Sequence, residues 1–344
     1  MYESGGRNPF NKQEQNQGED RARRTMISAI VVNYNGAKFL SECLHSLCEQ
    51  TYPDLEVIVV DNASTDGSDE IVRGYAPQVR LVQTGANLGY GGGINAGMKV
   101  ATGEAIFALN NDIVLDRTCV AHLATALQGS PRTGMLAPRM LLPDGRVNST
   151  GLCISRSGAA WNRQMGHSDP GPDIPGNEVL GPCGGAALYR RTMLDEIGWF
   201  DETFFMYMED VDIAVRACLA GWKCRYVPAA TVIHANGATA GWGSDLAVYY
   251  GNRNIVWYTL RDFPTRLLIT SLPWIVGRTV GVMIYYALQG RGLLAVRSKV
   301  DALRGIGRIL SERRQVIRSA PYHEFARFVK IWADGEARYT GSES

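Results

Sequence analysis

Short runs of Val, Ile and Leu alternate with amphipathic stretches between residues 26 and 110. The apolar runs predict strands over residues 27–33, 55–61, 79–84 and 104–109. The stretches between them have helical spacing, which predicts helices over residues 37–49, 67–75 and 91–101. Strands this apolar are typically buried on both faces, so we expect a mostly parallel sheet with helices on each side. Ligands should then bind beyond the carboxyl ends of the strands.

The pattern also divides the chain into segments. Residues 1–25 are rich in Gln, Asn, Gly and charge, and we expect a disordered leader there. We predict one α/β domain over residues 26–262, with halves at 26–130 and 131–262, the second richer in Gly and Pro. A helical extension over residues 263–335 and a tail at 336–344 complete the expected organisation.

Composition narrows the class of protein. The chain has 344 residues, of which 45% are hydrophobic, with 35 Lys and Arg against 34 Asp and Glu. These values are typical of a folded globular protein and argue against wholesale disorder or a polytopic membrane protein. The seven cysteines are scattered without a CxxC pair, which disfavours a disulfide framework or structural zinc site and indicates a reducing compartment.

The near-neutral charge hides a basic C-terminal region. Between residues 261 and 330, 13 Lys and Arg face 4 Asp and Glu. Residues 267–288 are apolar enough to span a bilayer, and a basic amphipathic helix is predicted after them. A single span would separate the body of the protein from this basic segment. We therefore favour helices docked in the plane of an anionic membrane over a packed or dimer-forming core, and both over a true span. A nucleic-acid partner is not expected, since no known binding module is present.

Polar residues follow several predicted strands. Asp61 ends a strand and could accept hydrogen bonds from a base or ribose, although the segment after it could also serve only as a turn and helix cap. Residues 87–97 form a Gly-rich loop that opens a helix. It lacks the Gly-Lys-Ser/Thr ending of a P-loop and does not match GxGxxG after the first strand. Phosphate binding and close helix packing both stay open for this loop.

Several carboxylates lie at positions where they could bind a metal ion or act as a general base. Asp112 follows a strand and could hold a divalent cation, although Asn-Asn-Asp is also ordinary turn chemistry. Glu209, Asp210 and Asp212 crowd together after four aromatic residues, at a predicted helix start. Such a cluster either caps the helix or supplies a general base. His234 follows a strand-like stretch and is either structural or a metal ligand.

These segments, in this order, resemble the family 2 inverting glycosyltransferases of GT-A fold, most closely the rhamnosyltransferase-like and galactofuranosyltransferase-like branch. The resemblance extends from about residue 30 to residue 264. It rests on residues 31–35, 59–66, 87–90 with Asn95 and Gly97, 109–112, 184–188, 200–202, 207–212 and His234. The implied fold is a GT-A nucleotide-binding sheet, mostly parallel and flanked by helices, with the helical basic extension after it.

The resemblance implies a role for each matching residue. The nucleotide-sugar site would comprise Asn33, Asn35, Asp61, Asn87, Gly89, Asn95, Asn110 and Asn111, with Asp61 binding a pyrimidine base. Residues 110–112 occupy the position of the DXD motif with Asn in place of the first Asp, which leaves Asp112 as the expected metal ligand, joined by His234. Asp210 resembles the general base, paired with Glu209. The acceptor side would include Gly184, Gly185, Tyr207 and Asp212.

The implied function is metal-assisted inverting transfer of a sugar, rhamnose or galactofuranose favoured, from a pyrimidine-diphosphate donor to a lipid-linked or polysaccharide acceptor. The expected cofactor is Mn²⁺ or Mg²⁺, and the expected location is the cytoplasmic face of the cell membrane, with self-association left open. The alternative is a catalytically inactive scaffold of the same fold. A Rossmann-type oxidoreductase is a more distant alternative.

Overall fold

A computed structural model describes residues 24–235 and 243–332, so the expected leader up to residue 23 and the tail lie outside it. The strands are β1 (Ile27–Asn33), β2 (Leu55–Asp61), β3 (Val79–Gln83), β4 (Ala105–Asn110), β5 (Ile113–Leu115), β6 (Thr133–Leu141), β7 (Val147–Ser149), β8 (Leu152–Ser155), β9 (Ala160–Asn162), β10 (Glu178–Val179), β11 (Ala186–Arg190), β12 (Lys223–His234) and β13 (Val329–Lys330). The α-helices are α1 (Ala37–Cys48), α2 (Ser68–Arg73), α3 (Gly89–Met98), α4 (Cys119–Gln128), α5 (Arg191–Ile197), α6 (Glu209–Leu219), α7 (Asp245–Asp262), α8 (Thr265–Leu288), α9 (Gly292–Arg304), α10 (Ile306–Arg313) and α11 (Tyr322–Ala326).

The main sheet confirms the predicted α/β class. Strands β3, β2, β1 and β4 lie side by side and are parallel, as expected. Strand β11 then enters antiparallel between β4 and β6, and β12 runs parallel to β6. The ten-stranded sheet is therefore parallel through strands β1 to β4 and mixed beyond them. Strands β8, β9 and β13 form a second, small sheet.

Both faces of the parallel strands are buried, as the apolar runs predicted. Along β1, Ile30 faces one hydrophobic cluster, while Ala29 and Val31 face the other. Helix α3 covers the first face and helices α1 and α4 cover the second. The alternation follows from the two-residue repeat of a strand, because successive side chains point to opposite sides of the sheet. Helices on both faces leave the strand ends as the accessible part of the sheet.

Strand register brings the polar strand ends together. Asn33 at the end of β1 pairs with Asp61 at the end of β2, and Val32 pairs with Asn110 at the end of β4. On the far side, the backbone N–H of Asn110 donates to the carbonyl of Gly185, 2.9 Å away. The carboxyl ends of the parallel strands and the start of β11 thus meet at one edge of the sheet.

The C-terminal helices pack on the α/β domain. The indole of Trp257 on α7 donates to the carbonyl of Ala302 on α9 at 3.0 Å, and Tyr249 donates to Asp301 at 2.7 Å. The predicted basic amphipathic helix is in fact two helices, α9 and α10, which are separated at Gly305. A Cβ at Gly305 would lie 2.8 Å from the Trp257 ring, so a side chain there would clash with α7.

Helix α8 combines great length with exposed apolar side chains. Among the described residues it is the one helix long and apolar enough to cross a membrane, with a mean hydropathy of 1.6. Only 11% of its most apolar window is buried. Every fourth residue along one side is apolar and exposed: Leu272, Val276, Val280, Ile284 and Leu288. This side of α8 is called the outer stripe below.

Candidate active site

A cavity of about 500 Å³ opens at the edge of the sheet where the polar strand ends meet. Its walls come from both halves of the α/β domain and from helices α7 and α8. Eleven of the residues predicted for the site line it: Asn87, Gly89, Asn110, Asn111, Asp112, Gly184, Gly185, Tyr207, Glu209, Asp210 and His234. The structure therefore places the nucleotide, metal, base and acceptor candidates around one space.

Asp112 and His234 face each other in this cavity. The Asp112 Oδ1 and His234 Nε2 atoms are 3.2 Å apart, and both residues are buried. Strand pairing explains their approach, because β5 follows Asp112 directly and Ile113 pairs with His234 at the end of β12. The other imidazole nitrogen, Nδ1, lies 3.1 Å from Oδ1 of the buried Asn148. An Nδ1–H donated to Asn148 leaves the Nε2 lone pair directed towards Asp112.

This arrangement fits a divalent cation. A carboxylate oxygen and an imidazole nitrogen about 3 Å apart can both reach one ion at about 2.1 Å. Asn148 supplies the outer hydrogen bond that typically orients a histidine ligand. Across the described ranges, no group of three or more His, Cys, Asp or Glu is arranged to hold a metal. Two protein ligands fit an ion that takes its remaining ligands from water and a bound diphosphate.

Five of the predicted site residues do not line the cavity. Asn33 donates to Asp61 Oδ1 at 3.0 Å and accepts from Asn111 Nδ2 at 2.7 Å, which ties three strand ends together. Asn35 and Asn95 accept backbone N–H groups, from Thr65 and Phe200 respectively. The buried Asn33, Asp61 and Asn95 are thus placed behind the wall of the cavity, whereas Asn35 is exposed outside it.

Asp212 is the fifth residue outside the lining. It is fully buried, and its carboxylate pairs with Arg216 at 2.9 Å and with Arg261. Arg261 also pairs with Asp201 and, on α10, with Glu312. Asp212 therefore belongs to a buried ion-pair cluster that joins helix α6 to the C-terminal helices.

Gly89 allows the Gly-rich loop to pack against the segment that precedes helix α6. It has a positive φ of 73°, and a Cβ there would lie 2.0 Å from the carbonyl oxygen of Phe205. The carbonyl of Gly89 accepts from Asn62, and the next residue, Tyr90, donates its N–H to Phe205 at 2.7 Å. A side chain at position 89 would force the nucleotide loop away from the segment before Asp210.

Asp210 and Glu209 form a pair of acidic residues in different environments. The Oδ2 atom of Asp210 accepts from the Gly184 N–H at 2.8 Å, and burial raises the pKa of Asp210. Glu209 is more enclosed, and its Oε2 atom has no hydrogen-bond partner within the described part of the chain. Burial first, and the negative charge of Asp210 second, raise the pKa of Glu209 to about 8. The Gly184 and Val211 N–H groups favour the charged form of Asp210, whereas burial and the charge of Asp210 favour the protonated form of Glu209.

The segment before the acidic pair has an unusual backbone. Phe205, Tyr207 and Met208 all have positive φ values, at 64°, 64° and 71°. Such conformations cost about 1–3 kcal/mol each for residues other than Gly and persist only where surrounding contacts impose them. Here the amide of Asn254 on α7 provides those contacts, as it donates to the carbonyls of Phe204, Met206 and Tyr207 at 2.8–2.9 Å. The buried Asn254 thus determines where Glu209 and Asp210 begin helix α6.

Sequence reasoning missed several residues of this site. Asn148 and Asn254 act through long-range contacts, and no local motif marks either residue. Arg278 and Tyr286 line the cavity from α8, within the segment that was assigned to the membrane from its hydropathy. The one available signal was Arg278 itself, a cation in an otherwise apolar stretch.

The chain matches the family model "Glycosyl transferase family 2" over residues 28–198. It is 33% identical over 243 residues to the N-acetylglucosaminyl-diphospho-decaprenol L-rhamnosyltransferase of Mycobacterium tuberculosis, which covers 63% of this chain and 78% of the relative. It is also 27% identical over 210 residues to the low-salt glycan biosynthesis hexosyltransferase Agl10 of Haloferax volcanii, covering 57% and 64% of the two chains.

Solved structures support the fold. The mannosyltransferase PcManGT of Pyrobaculum calidifontis, in complex with GDP-Man and Mn²⁺, superposes with a TM-score of 0.52 at 20% identity over 86% of each chain. GalNAc-T7 with UDP, GalNAc and Mn²⁺ superposes with a TM-score of 0.58 at 16% identity, over 70% of this chain and 48% of that one. At these identities the likeness concerns the fold, which is that of GT-A glycosyltransferases.

Proposed function

Because this chain belongs to glycosyltransferase family 2, we propose that it transfers a sugar with inversion from a pyrimidine-diphosphate donor to a lipid-linked or polysaccharide acceptor. The observation that carries the proposal is that one cavity holds both the Asp112–His234 pair and Asp210. The Asp112–His234 pair is suited to hold the cation that accompanies a diphosphate, and Asp210 is suited to accept a proton. A rhamnose or galactofuranose donor is favoured, and the mycobacterial relative named as a rhamnosyltransferase of a decaprenol-linked acceptor supports the first of these.

The donor would lie along the carboxyl ends of β1 and β4. Asn110 and Asn111 line the cavity, as do Asn87 and Gly89 at the start of α3. The N-terminus of a helix favours a phosphate group. Asp112 and His234 would hold Mn²⁺ or Mg²⁺, which when bound would neutralise charge on the departing diphosphate. The two structural neighbours were solved with Mn²⁺, which agrees with this choice.

Asp210 would act as the general base. Its carboxylate removes the proton of the acceptor hydroxyl as that oxygen bonds to the anomeric carbon. The bond from this carbon to the nucleoside diphosphate breaks on the opposite face, so the configuration inverts. The Gly184 N–H holds one carboxylate oxygen of Asp210 in place, and the Asn254 contacts hold the segment before it. Such a base typically contributes about 10²–10⁴-fold to the rate.

The C-terminal helices would attach the enzyme to the cytoplasmic face of an anionic membrane. The outer stripe of α8 is apolar and exposed, and the adjacent α9 exposes Leu293 as well as the basic residues Arg297 and Arg304. Exposed apolar and basic side chains on neighbouring helices are complementary to the interface of an anionic bilayer. Such docking would bring the cavity close to a lipid-linked acceptor.

A transfer assay with determination of the anomeric configuration tests the catalytic proposal. The enzyme would be supplied with UDP-, dTDP- and GDP-sugars, Mn²⁺ and a prenyl-diphosphate-linked sugar acceptor, and the product would be analysed by NMR. We expect one pyrimidine donor to give a product whose anomeric configuration is opposite to that of the donor. A product with retained configuration would contradict the mechanism, and donor binding without any transfer would favour the scaffold alternative.

Vesicle sedimentation tests the attachment separately. We expect the protein to bind phosphatidylglycerol vesicles more tightly than phosphatidylcholine vesicles, and Val280→Asp with Ile284→Asp to abolish binding. Leu246→Asp is a matched control, because Leu246 is also exposed but lies on α7, outside the outer stripe. Equal binding by the double variant and the control would contradict attachment through α8.

A further inference from the structure

A second face of helix α8 lines the cavity. None of the sequence motifs described above includes the residues of this face. Arg278, Val282 and Tyr286 line the cavity at four-residue spacing, on a different side of the helix from the outer stripe. One side of helix α8 is therefore apolar and exposed. The other side lines the cavity and carries the positively charged Arg278.

Among the described residues, the Arg278 guanidinium has no compensating partner. Within residues 24–235 and 243–332, no hydrogen bond or ion pair joins Arg278 to another side chain or carbonyl, and the segment 236–242 contains no Asp or Glu. Loss of hydration lowers the pKa of Arg278. Arg278 is half-buried, and a guanidinium that is partly removed from water is normally paired, because an unpaired charge is costly to desolvate.

A second cationic side chain, Lys299, lines a smaller cavity together with Arg278. This cavity, of about 80 Å³, is also lined by apolar side chains of α7 and α8, including Leu268, Leu272 and Ile275. The Lys299 ammonium donates to the carbonyl of Asn252 at 2.7 Å, and no carboxylate is paired with it in the described ranges. Burial and the charge of Arg278 lower the pKa of Lys299 to about 8. Two cations in an apolar setting form a place of positive potential that favours an anion.

We propose that Arg278, supported by Lys299, binds the diphosphate of a lipid-linked acceptor, whose prenyl chain follows the apolar surface of α8. This inference rests on the proposed function and adds the residue that recognises the acceptor. A guanidinium binds phosphate oxygens through two parallel N–H donors, which an ammonium cannot match. The apolar residues around the cations favour an anion with a hydrocarbon tail over the diphosphate of the donor nucleotide.

Equilibrium binding of farnesyl diphosphate, a soluble prenyl diphosphate, tests the proposal without requiring transfer. We expect wild type to bind it more tightly than farnesol or inorganic diphosphate, and Arg278→Met to weaken binding about 10- to 100-fold. Arg278→Lys should recover part of the loss. Arg314→Met is the matched control, because it removes an equally charged side chain of the same helical extension that is exposed and lies outside both cavities.

Binding of the donor nucleotide is measured in the same variants, to distinguish acceptor recognition from donor recognition. Binding of UDP and dTDP should be unchanged in Arg278→Met; a parallel loss of nucleotide affinity would assign Arg278 to the donor and overturn the proposal. Equal affinity of wild type and Arg278→Met for farnesyl diphosphate, or no binding by wild type, would also overturn it. Should Arg278→Met fail to fold, the comparison of Arg278→Lys with wild type decides by the same criterion. Farnesyl diphosphate binding without sugar transfer would refute the proposed function alone.

Discussion

The two halves of the α/β domain build their parts of the site in different ways. In the nucleotide half, residues 26–130, the polar residues follow the strands directly, and the register of neighbouring parallel strands brings them together. In the acceptor half, Asp210 follows a segment with three positive φ values and is held by Gly184 and, through that segment, by Asn254. The first half depends on the sheet, whereas the second depends on single hydrogen bonds between distant residues. Substitutions far from the chemistry should therefore impair the base more than the donor site.

The largest expected effect separates the base from the donor site. Asp210→Asn keeps one side-chain oxygen that can accept from the Gly184 or the Val211 N–H but cannot take up a proton, so we expect transfer to fall about 10²–10⁴-fold. Donor affinity, measured by calorimetry, should stay within twofold of wild type. The exposed Asp173→Asn serves as a control with full activity. Unimpaired transfer by Asp210→Asn would remove Asp210 from the mechanism.

Metal binding can be weakened by substitution of Asn148, a residue that would not itself contact the ion. Asn148→Ala removes the partner of His234 Nδ1, and we expect the Mn²⁺ concentration for half-maximal donor binding to rise about 10- to 100-fold. Asn148→Asp retains an acceptor oxygen and should restore most of the Mn²⁺ dependence. If Asn148→Ala binds donor at wild-type Mn²⁺ concentrations, the proposed orientation of His234 is wrong.

Two buried asparagines test the comparison directly. Asn254→Ala removes three hydrogen bonds from the segment before Asp210 and should lower the free energy of unfolding by about 1–3 kcal/mol. It should also lower kcat, with donor affinity retained. Asn33→Ala removes the link between β1, β2 and β4, and should mainly lower donor affinity. Steady-state kinetics with donor titrations measures both variants. If kcat and donor affinity change in the same way in the two variants, the two halves of the α/β domain do not build their parts of the site independently.

The smallest expected effect concerns pH. Burial raises the pKa of Glu209 to about 8, well above its ordinary value of 4.5, so the folded chain holds a proton there that the unfolded chain has lost. Stability should then fall as pH rises through this interval. In Glu209→Gln this dependence should be absent, so the variant gains stability relative to wild type between pH 5 and pH 8. Urea unfolding at several pH values measures it, and parallel curves for the two proteins would contradict the expectation.

The sequence predicted the nucleotide half well because its signals are local. Strands β1 and β2 have the predicted bounds, and the residues at their ends meet through strand pairing. The predicted base and metal residues also line one cavity. Asn33, Asp61 and Asp212 are named by motif matches, yet their side chains bind other protein groups behind the wall, which only the fold reveals.

The parts that could not be predicted depend on contacts between distant residues. Asn254 contacts Tyr207 across 47 positions, and Asn148 contacts His234 across 86. Hydropathy described α8 correctly as an apolar helix but could not show that one of its sides faces the site. The break between α9 and α10 depends on the close approach of Trp257 to Gly305, which the amphipathic repeat does not record.

The most direct test of the central claim is calorimetric binding of UDP-, dTDP- and GDP-sugars with and without Mn²⁺, on wild type and Asp112→Ala. The account predicts that wild type binds one pyrimidine sugar, that binding requires Mn²⁺, and that Asp112→Ala loses the Mn²⁺-dependent part. Binding of the same donor by folded Asp112→Ala with unchanged affinity and Mn²⁺ dependence would contradict the assignment of Asp112 and His234. Failure of folded wild type to bind any of the donors would contradict the proposed function.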